Sequence, residues 1–122
     1  MEDTHKSLYK TIYKKNKSRE LQKIKVYNGI LSKCEKKIKL YANNDKYECY
    51  FEIPKFTPGA PLYNVDECAY FILQKLKTKF KVHYFTPQDL KNMGIDNNIN
   101  DITGIIYISW IHIKEKLNNK FY

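Results

Sequence analysis

Apolar residues recur at helical spacing along the first third of the chain. Ser18 is a suitable first residue for a helix, and Asn43 opens a polar run that would end it. We therefore predict a helix over residues 18–42, while a weaker apolar stripe in residues 6–16 leaves open a start further back. Steps of three or four residues separate the positions of the main stripe, which are Leu21, Ile24, Tyr27, Leu31, Cys34, Ile38 and Tyr41.

Strict alternation of apolar and polar residues is typical of a half-buried strand, and it occurs twice after this helix. In residues 47–53 the odd-numbered positions hold Tyr, Cys, Phe and Ile, so these side chains share one face. In residues 80–85 the even-numbered positions hold Phe, Val and Tyr, opposite Lys, His and Phe. A third segment, residues 105–110, is almost continuously apolar, which predicts a central strand.

Capping residues predict a second helix and a single helical turn. Asn64 is followed three residues later by Glu67, a variant of the capping box, and a broad apolar face comes after it. Thr86 and the proline behind it predict the turn. The loop at residues 54–63 holds three prolines, and we expect it to pack on the core through its apolar side chains. Those side chains are Phe56, Leu62 and Tyr63.

The order of elements predicts an α+β protein in which a long N-terminal helix precedes a β-α-β-β unit. Both helices should cover one face of a small three-stranded sheet, whose last two strands pair as a hairpin. We predict a basic, frayed leader at residues 1–17, a single domain at residues 18–111 and a polar tail at residues 112–122. No apolar run reaches the roughly 20 residues that cross a bilayer, and no signal peptide is evident, so we expect neither a membrane span nor secretion.

The formal net charge of +9 is concentrated near the N-terminus. Residues 1–42 carry eleven lysines and one arginine against four acidic residues, whereas residues 43–122 are close to neutral. Such asymmetry indicates contact with phosphate or with an acidic surface. Part of the lysine excess is also explained by an AT-rich genome, since Lys, Asn, Ile and Tyr are all abundant. A single arginine argues against specific recognition of guanine.

These observations predict a non-enzymatic binding module whose basic N-terminal helix contacts nucleic acid without sequence preference, or an acidic protein surface. Lysines supply phosphate contacts, and tyrosines among them can stack on bases. Tyr9 and Tyr13 are the candidates for stacking. The candidates for binding are Lys10, Lys14, Lys15, Lys17, Arg19, Lys23, Lys33, Lys36 and Lys37.

Catalytic motifs for phosphate, dinucleotide or peptide chemistry are absent from the sequence. Cys68 and His83 form the only arguable pair of nucleophile and base, but Cys68 falls on the apolar face of the second helix, where core packing is the usual role. Together with Cys34 and Cys49 it fits neither a disulfide framework nor a zinc motif. We therefore predict no catalytic residue, no metal site and no cofactor.

Two carboxylates share the polar face of the first strand. Glu48 and Glu52 lie four residues apart, or about 13 Å at ~3.3 Å per residue. That separation exceeds the spacing of the carboxylate pairs that hydrolyse glycosides. We interpret them as residues of a solvated sheet face.

Residues 23–110 also carry a distinctive succession of a Pro-Gly-Pro loop, a cysteine-containing helix and two strands, the last ending in Tyr-Ile-Ser-Trp. The positions concerned are Pro54, Phe56, Gly59, Pro61, Tyr63, Cys68, Leu76, Phe80, Val82, Tyr84, Pro87 and residues 107–110. With the lysine-rich helix before it, this succession resembles a group of short uncharacterised proteins of nucleocytoplasmic large DNA viruses.

The resemblance implies a viral origin, and with it a location in the host cytoplasm, a virus factory or the virion. It also adds an alternative function, that of a structural or adaptor component of a virus particle or assembly complex with a viral protein as partner. The chain departs from the group at residues 88–104, an insertion between Pro87 and the last strand. The resemblance therefore implies nothing about the tip of that hairpin.

Overall fold

The computed structural model describes residues 2–94 and 103–113. It confirms the α+β class, with a long N-terminal helix and a three-stranded antiparallel sheet. The hairpin tip at residues 95–102 and most of the predicted polar tail, residues 114–122, lie outside the described residues. The elements in chain order are α1 Glu2–Asn43, β1 Glu48–Glu52, α2 Val65–Leu76, β2 Lys81–Phe85, α3 Pro87–Asn92 and β3 Ile105–Ser109.

The sheet has the strand order β1-β3-β2, and both pairs are antiparallel. The prediction that the most apolar strand is central and pairs with the strand before it is thereby confirmed. Register places Tyr107 of β3 between Tyr50 of β1 and His83 of β2. Side chains alternate between the two faces of a strand, so these three share one face of the sheet.

The other face of the sheet packs against α1 and α2 and forms the core, as predicted. Cys49 and Phe51 of β1 are buried there, as are Ile106 and Ile108 of β3. α1 packs mainly on β1, and α2 packs mainly on β2. Strand alternation therefore separates a core face from a face that is exposed at Tyr50 and His83, although Ser109 at the end of β3 is buried on it.

The predicted caps are confirmed in α2 and α3. The Asn64 side chain accepts a hydrogen bond from the backbone N–H of Glu67 at 3.1 Å. Thr86 and Asp89 form a complete capping box, in which each side chain accepts from the other's backbone N–H. Both helix starts satisfy backbone donors that would otherwise have no partner.

The loop at residues 54–63 packs on the core through one of its three apolar side chains. The Tyr63 hydroxyl donates to the carbonyl of Pro54 at 2.6 Å, and its ring meets Tyr27 edge-on at 5.8 Å between centroids. Phe56 and Leu62 are exposed instead, so the prediction that they pack on the core is wrong. The bond from Tyr63 to Pro54 closes the loop on itself and leaves both side chains outside it.

α1 begins at Glu2, so the structure shows the backward extension that the sequence left open, and Ser18 lies inside the helix rather than at its start. Residues 2–17, predicted as a frayed leader, are helical and contain neither glycine nor proline. Starting a helix is unfavourable, but extending one that already exists adds a hydrogen bond for each residue ordered. The packed half of α1 provides that start, so the helix continues backwards although residues 5–17 stay exposed and are not packed against other described residues. No helix of the described residues is both long and apolar enough to cross a membrane.

Candidate functional site

The character of α1 changes at Tyr27. From this residue onward one side of the helix is buried against the core, with Ile30 and Cys34 among the most buried. Residues 5–25 are exposed around the helix, apart from the half-buried Lys23. We term residues 5–25 the basic arm. It extends over about 30 Å at ~1.5 Å per residue.

The basic arm carries eight lysines and arginines against one acid, Glu20. Lys23 pairs with Glu20 at 3.4 Å, an exposed contact that contributes little to stability. Lys10, Lys14 and Lys17 are separated by four and three residues, so they project from one side of the helix. The arrangement is a positively charged helix whose surface over residues 5–25 is almost entirely exposed.

The two stacking candidates of the arm lie together. The rings of Tyr9 and Tyr13 are nearly parallel, at 17°, with centroids 6.4 Å apart. Both are exposed, Tyr9 by 70 %. Leu8 and Ile12 are exposed beside them, which leaves an apolar side on the arm opposite much of its charge.

The predicted binding set does not form one patch. Its members Lys10 to Lys23 lie on the basic arm, but Lys33 and Lys36 are exposed on the packed half of α1. A distance of about 39 Å along the helix separates Lys10 from Lys36 at ~1.5 Å per residue. Lys37 differs from the rest, since its Nζ donates to the carbonyl of Tyr50 and lies 5.6 Å from the Tyr41 ring. Its side chain covers the outer edge of β1, so we assign it to stabilising the fold and not to binding.

The open face of the sheet is a feature that the sequence interpretation missed. We use this name for the face that carries Tyr50, His83, Phe85 and Tyr107. The rings of Tyr50 and Tyr107 are 5.1 Å apart, and those of His83 and Phe85 are 4.5 Å apart. Alternation predicted the direction of Tyr50, His83 and Phe85 but not that of Tyr107, whose strand is almost continuously apolar. Only strand register brings the rings of the three strands to one face.

The two carboxylates on this face accept hydrogen bonds from its own residues. Glu48 accepts from the Tyr107 hydroxyl at 2.5 Å, and Glu52 accepts from the Thr103 hydroxyl at 2.7 Å. The bond to Glu48 raises the pKa of Tyr107, because it favours the protonated phenol. Both glutamates are exposed, which confirms a solvated sheet face.

The only nucleophile–base pair considered from sequence is not assembled. Cys68 is buried in the core on α2, whereas His83 is exposed on the open face, so the sheet separates them. Within residues 2–94 and 103–113 no group of three or more His, Cys, Asp or Glu side chains is placed to hold a metal ion.

All three cysteines are buried, and burial raises their pKa values. The pKa rises to about 12 for both Cys34 and Cys68. Because the thiolate is the reactive form, we expect the folded protein at about pH 8 to react with iodoacetamide at least ~100-fold more slowly than the urea-unfolded chain. Mass spectrometry of timed samples measures the rates. A thiol that reacts equally fast in both states would show that its surroundings are open.

Fold and site together define a small α+β protein in which one helix continues far beyond the domain as a basic arm. Residues 6–77 match a family of unknown function, DUF5759, and the chain belongs to that family. The matched segment extends from the arm through β1 to the end of α2.

A relative from a virus supports the general resemblance to uncharacterised viral proteins. The chain is 29 % identical over 101 residues to an uncharacterised protein of Acanthamoeba polyphaga mimivirus, covering 81 % of this chain and 72 % of the relative. The comparison supports a viral family of uncharacterised proteins and does not show the particular loop and strand motifs. No solved structure matches the chain.

Proposed function

We propose that the protein binds nucleic acid without sequence preference through the basic arm. One observation carries the proposal: an exposed helical segment of 21 residues, residues 5–25, presents eight cations against one acid. A surface helix with so much unneutralised charge is poorly explained by folding stability, because it buries no apolar face.

The chemistry of the arm fits phosphates better than bases. Lysine is a flexible point charge that contacts phosphate oxygens, and such contacts carry no sequence information. The arm holds one arginine, Arg19, the residue type that most often recognises guanine. Phosphate contacts release counterions, so the affinity should fall steeply as salt rises.

A second candidate, a structural or adaptor component of a virus particle, is favoured by the apolar side of the arm. Leu8, Tyr9, Ile12 and Tyr13 are exposed there with no contact to the core. A helix with such a side can lie in the groove of a protein partner. The Leu8→Ser/Ile12→Ser variant separates the candidates, since it should abolish capture of a viral partner and leave binding to duplex DNA unchanged.

We expect the Lys10→Gln/Lys14→Gln/Lys17→Gln variant to bind duplex DNA more weakly and with less dependence on salt. Each lysine that no longer neutralises a phosphate lowers the slope of log K against log salt by about 0.9, so the slope should fall by up to about 2.7. Fluorescence anisotropy with a labelled duplex, titrated at several salt concentrations, measures both quantities.

The matched control is Lys77→Gln/Lys79→Gln/Lys91→Gln, which removes three exposed lysines outside the arm. It changes the net charge equally, so a long-range effect of charge would appear in both variants. The proposal requires a clear drop in slope for the arm variant and a small one for the control. Equal slopes in the two variants, or binding by the unaltered protein that ignores salt, would exclude it.

A further inference from the structure

We propose that the open face of the sheet binds the bases of a single-stranded nucleic acid by stacking. This inference rests on the proposed function, which it deepens by assigning a class of nucleic acid. The arm would hold phosphates of any strand, whereas the open face would select strands whose bases are unpaired.

The rings lie on one face of the sheet in two pairs, Tyr50 with Tyr107 and His83 with Phe85. Tyr50, Tyr107 and His83 are direct partners in the strand register, one on each strand. Tyr50 is 54 % exposed, and His83 is exposed as well. The Phe85 ring stands edge-on to that of His83. Tyr107 and Phe85 are half-buried on the same face. Rings held on a sheet give bases a platform whose geometry exists before binding.

Lysines lie beside these rings. A cavity of about 590 Å³ adjoins them at the β1 side, lined by Tyr50, Tyr107 and Lys46, with Asp45 and Glu48. Lys37 also lines it, but its Nζ is already bound to the carbonyl of Tyr50. At the β2 side, Lys81 is exposed and opposes Ser109 in the register. A strand whose bases stack on the rings would therefore find lysines near its phosphates at both edges of the sheet.

The negative charge of the carboxylates on this face is partly offset by neighbouring lysines, since Lys46 lines the same cavity as Glu48. Glu48 and Glu52 already accept hydrogen bonds from Tyr107 and Thr103. The face is close to neutral, so its contribution should depend on ring contact much more than on salt.

The size of the face fits bases better than a protein partner. Each strand has five residues and spans about 17 Å, while the two outer strands lie about 10 Å apart, which gives a platform on the order of 200 Å². A stable protein interface buries about 800 Å² on each partner. Two or three stacked bases need much less, which is the number that an aromatic sheet surface typically accepts.

The test compares single and double strands in variants of the full chain. The probes are a labelled oligouridine of about 12 nucleotides and a duplex of equal length, both titrated by anisotropy at fixed salt. We expect Tyr50→Ala and His83→Ala each to weaken oligouridine binding by about 10-fold, with the duplex unchanged. Tyr50→Phe keeps the ring and should bind oligouridine as the unaltered protein does.

Phe56→Ala is the matched control, because Phe56 is an exposed ring outside the open face. Circular dichroism and the thermal midpoint of each variant verify that the sheet is intact. Oligouridine affinity that survives in a folded Tyr50→Ala/His83→Ala variant would overturn the inference, as would equal losses for oligouridine and duplex. The two proposals can be refuted independently. The arm lysines determine the slope of log K against log salt, whereas the rings determine the preference for single strands over duplex.

Discussion

Replacement of Gly104 by alanine is expected to lower the free energy of unfolding by about 3 kcal/mol. A Cβ atom at this position would overlap the Tyr84 ring, whose Cε1, Cζ and hydroxyl oxygen are its nearest neighbours. The ring cannot easily withdraw, because it is buried and its hydroxyl donates to Asp66 at 2.5 Å. It also meets Tyr70 edge-on at 5.9 Å between centroids. Relief of the overlap would break these contacts.

Urea unfolding of the two proteins measures the loss, and Gly29→Ala is its matched control. Gly29 lies in the interior of α1 with no atom within 4 Å of an added Cβ. Alanine favours the helix there by about 1 kcal/mol, so this variant should be more stable than the unaltered protein. A double variant, Gly104→Ala/Tyr84→Leu, should lose less than the sum of its single changes, because removal of the ring removes the overlap. Additive losses would exclude the overlap as the cause.

The alternation of β1 and β2 could be predicted because a strand with one buried face has a period of two. Cys49, Phe51 and Tyr84 are buried, as that period requires. The proximity of Gly104 to Tyr84 could not be predicted in this way, since twenty positions and a long insertion separate the two residues. The β2–β3 register, with Tyr84 opposite Ile106, brings them together.

The start of α1 shows a second limit of prediction from sequence, which concerns helices that bury no apolar side. Apolar periodicity marks the part of a helix that packs, and the stripe of Tyr27, Leu31 and Cys34 predicted that part correctly. Periodicity contains little information about a helix that buries nothing. The weaker stripe in residues 6–16 left open a helix start before Ser18, but it did not predict that this part of the helix projects from the domain.

The two candidate sites also differ in how far the sequence alone could predict them. The lysines of the arm are close in sequence, so composition alone located them. The open face needs Tyr50, His83 and Tyr107, which lie on three strands and meet through their register. Lys37 was assigned to binding because sequence shows its charge and not its hydrogen bond to the carbonyl of Tyr50.

A chain that begins at Ser18 is expected to keep the stability of the domain and to lose most of its affinity for duplex DNA. The truncation removes the five lysines of residues 1–17, and the slope of log K against log salt should fall by up to about 4.5. Affinity at about 0.1 M salt should fall by roughly three orders of magnitude. The free energy of unfolding should change by less than about 0.5 kcal/mol, as for other changes at an exposed surface.

Urea unfolding and anisotropy titrations measure these two outcomes, and Ser18 is a favourable N-cap for the shortened helix. A large loss of stability would show that the first 17 residues belong to the domain. Unchanged binding by a folded truncated chain would instead locate the phosphate contacts elsewhere, with Lys33 and Lys36 as the exposed candidates on the packed half of α1.

The helix signal in circular dichroism gives a further comparison of the full chain with the chain that begins at Ser18, because repulsion among the lysines of the arm destabilises its helix. Lys6, Lys10 and Lys14 follow each other at intervals of four residues, and like charges at that spacing destabilise a helix by about 0.2–0.5 kcal/mol per pair. Phosphates bound along the arm would neutralise this repulsion. Circular dichroism should therefore show that the helix signal of the full chain persists to higher temperature when duplex DNA is added, with no such shift for the chain that begins at Ser18. An arm that exists only to extend the fold would show no such coupling between polyanion and helix.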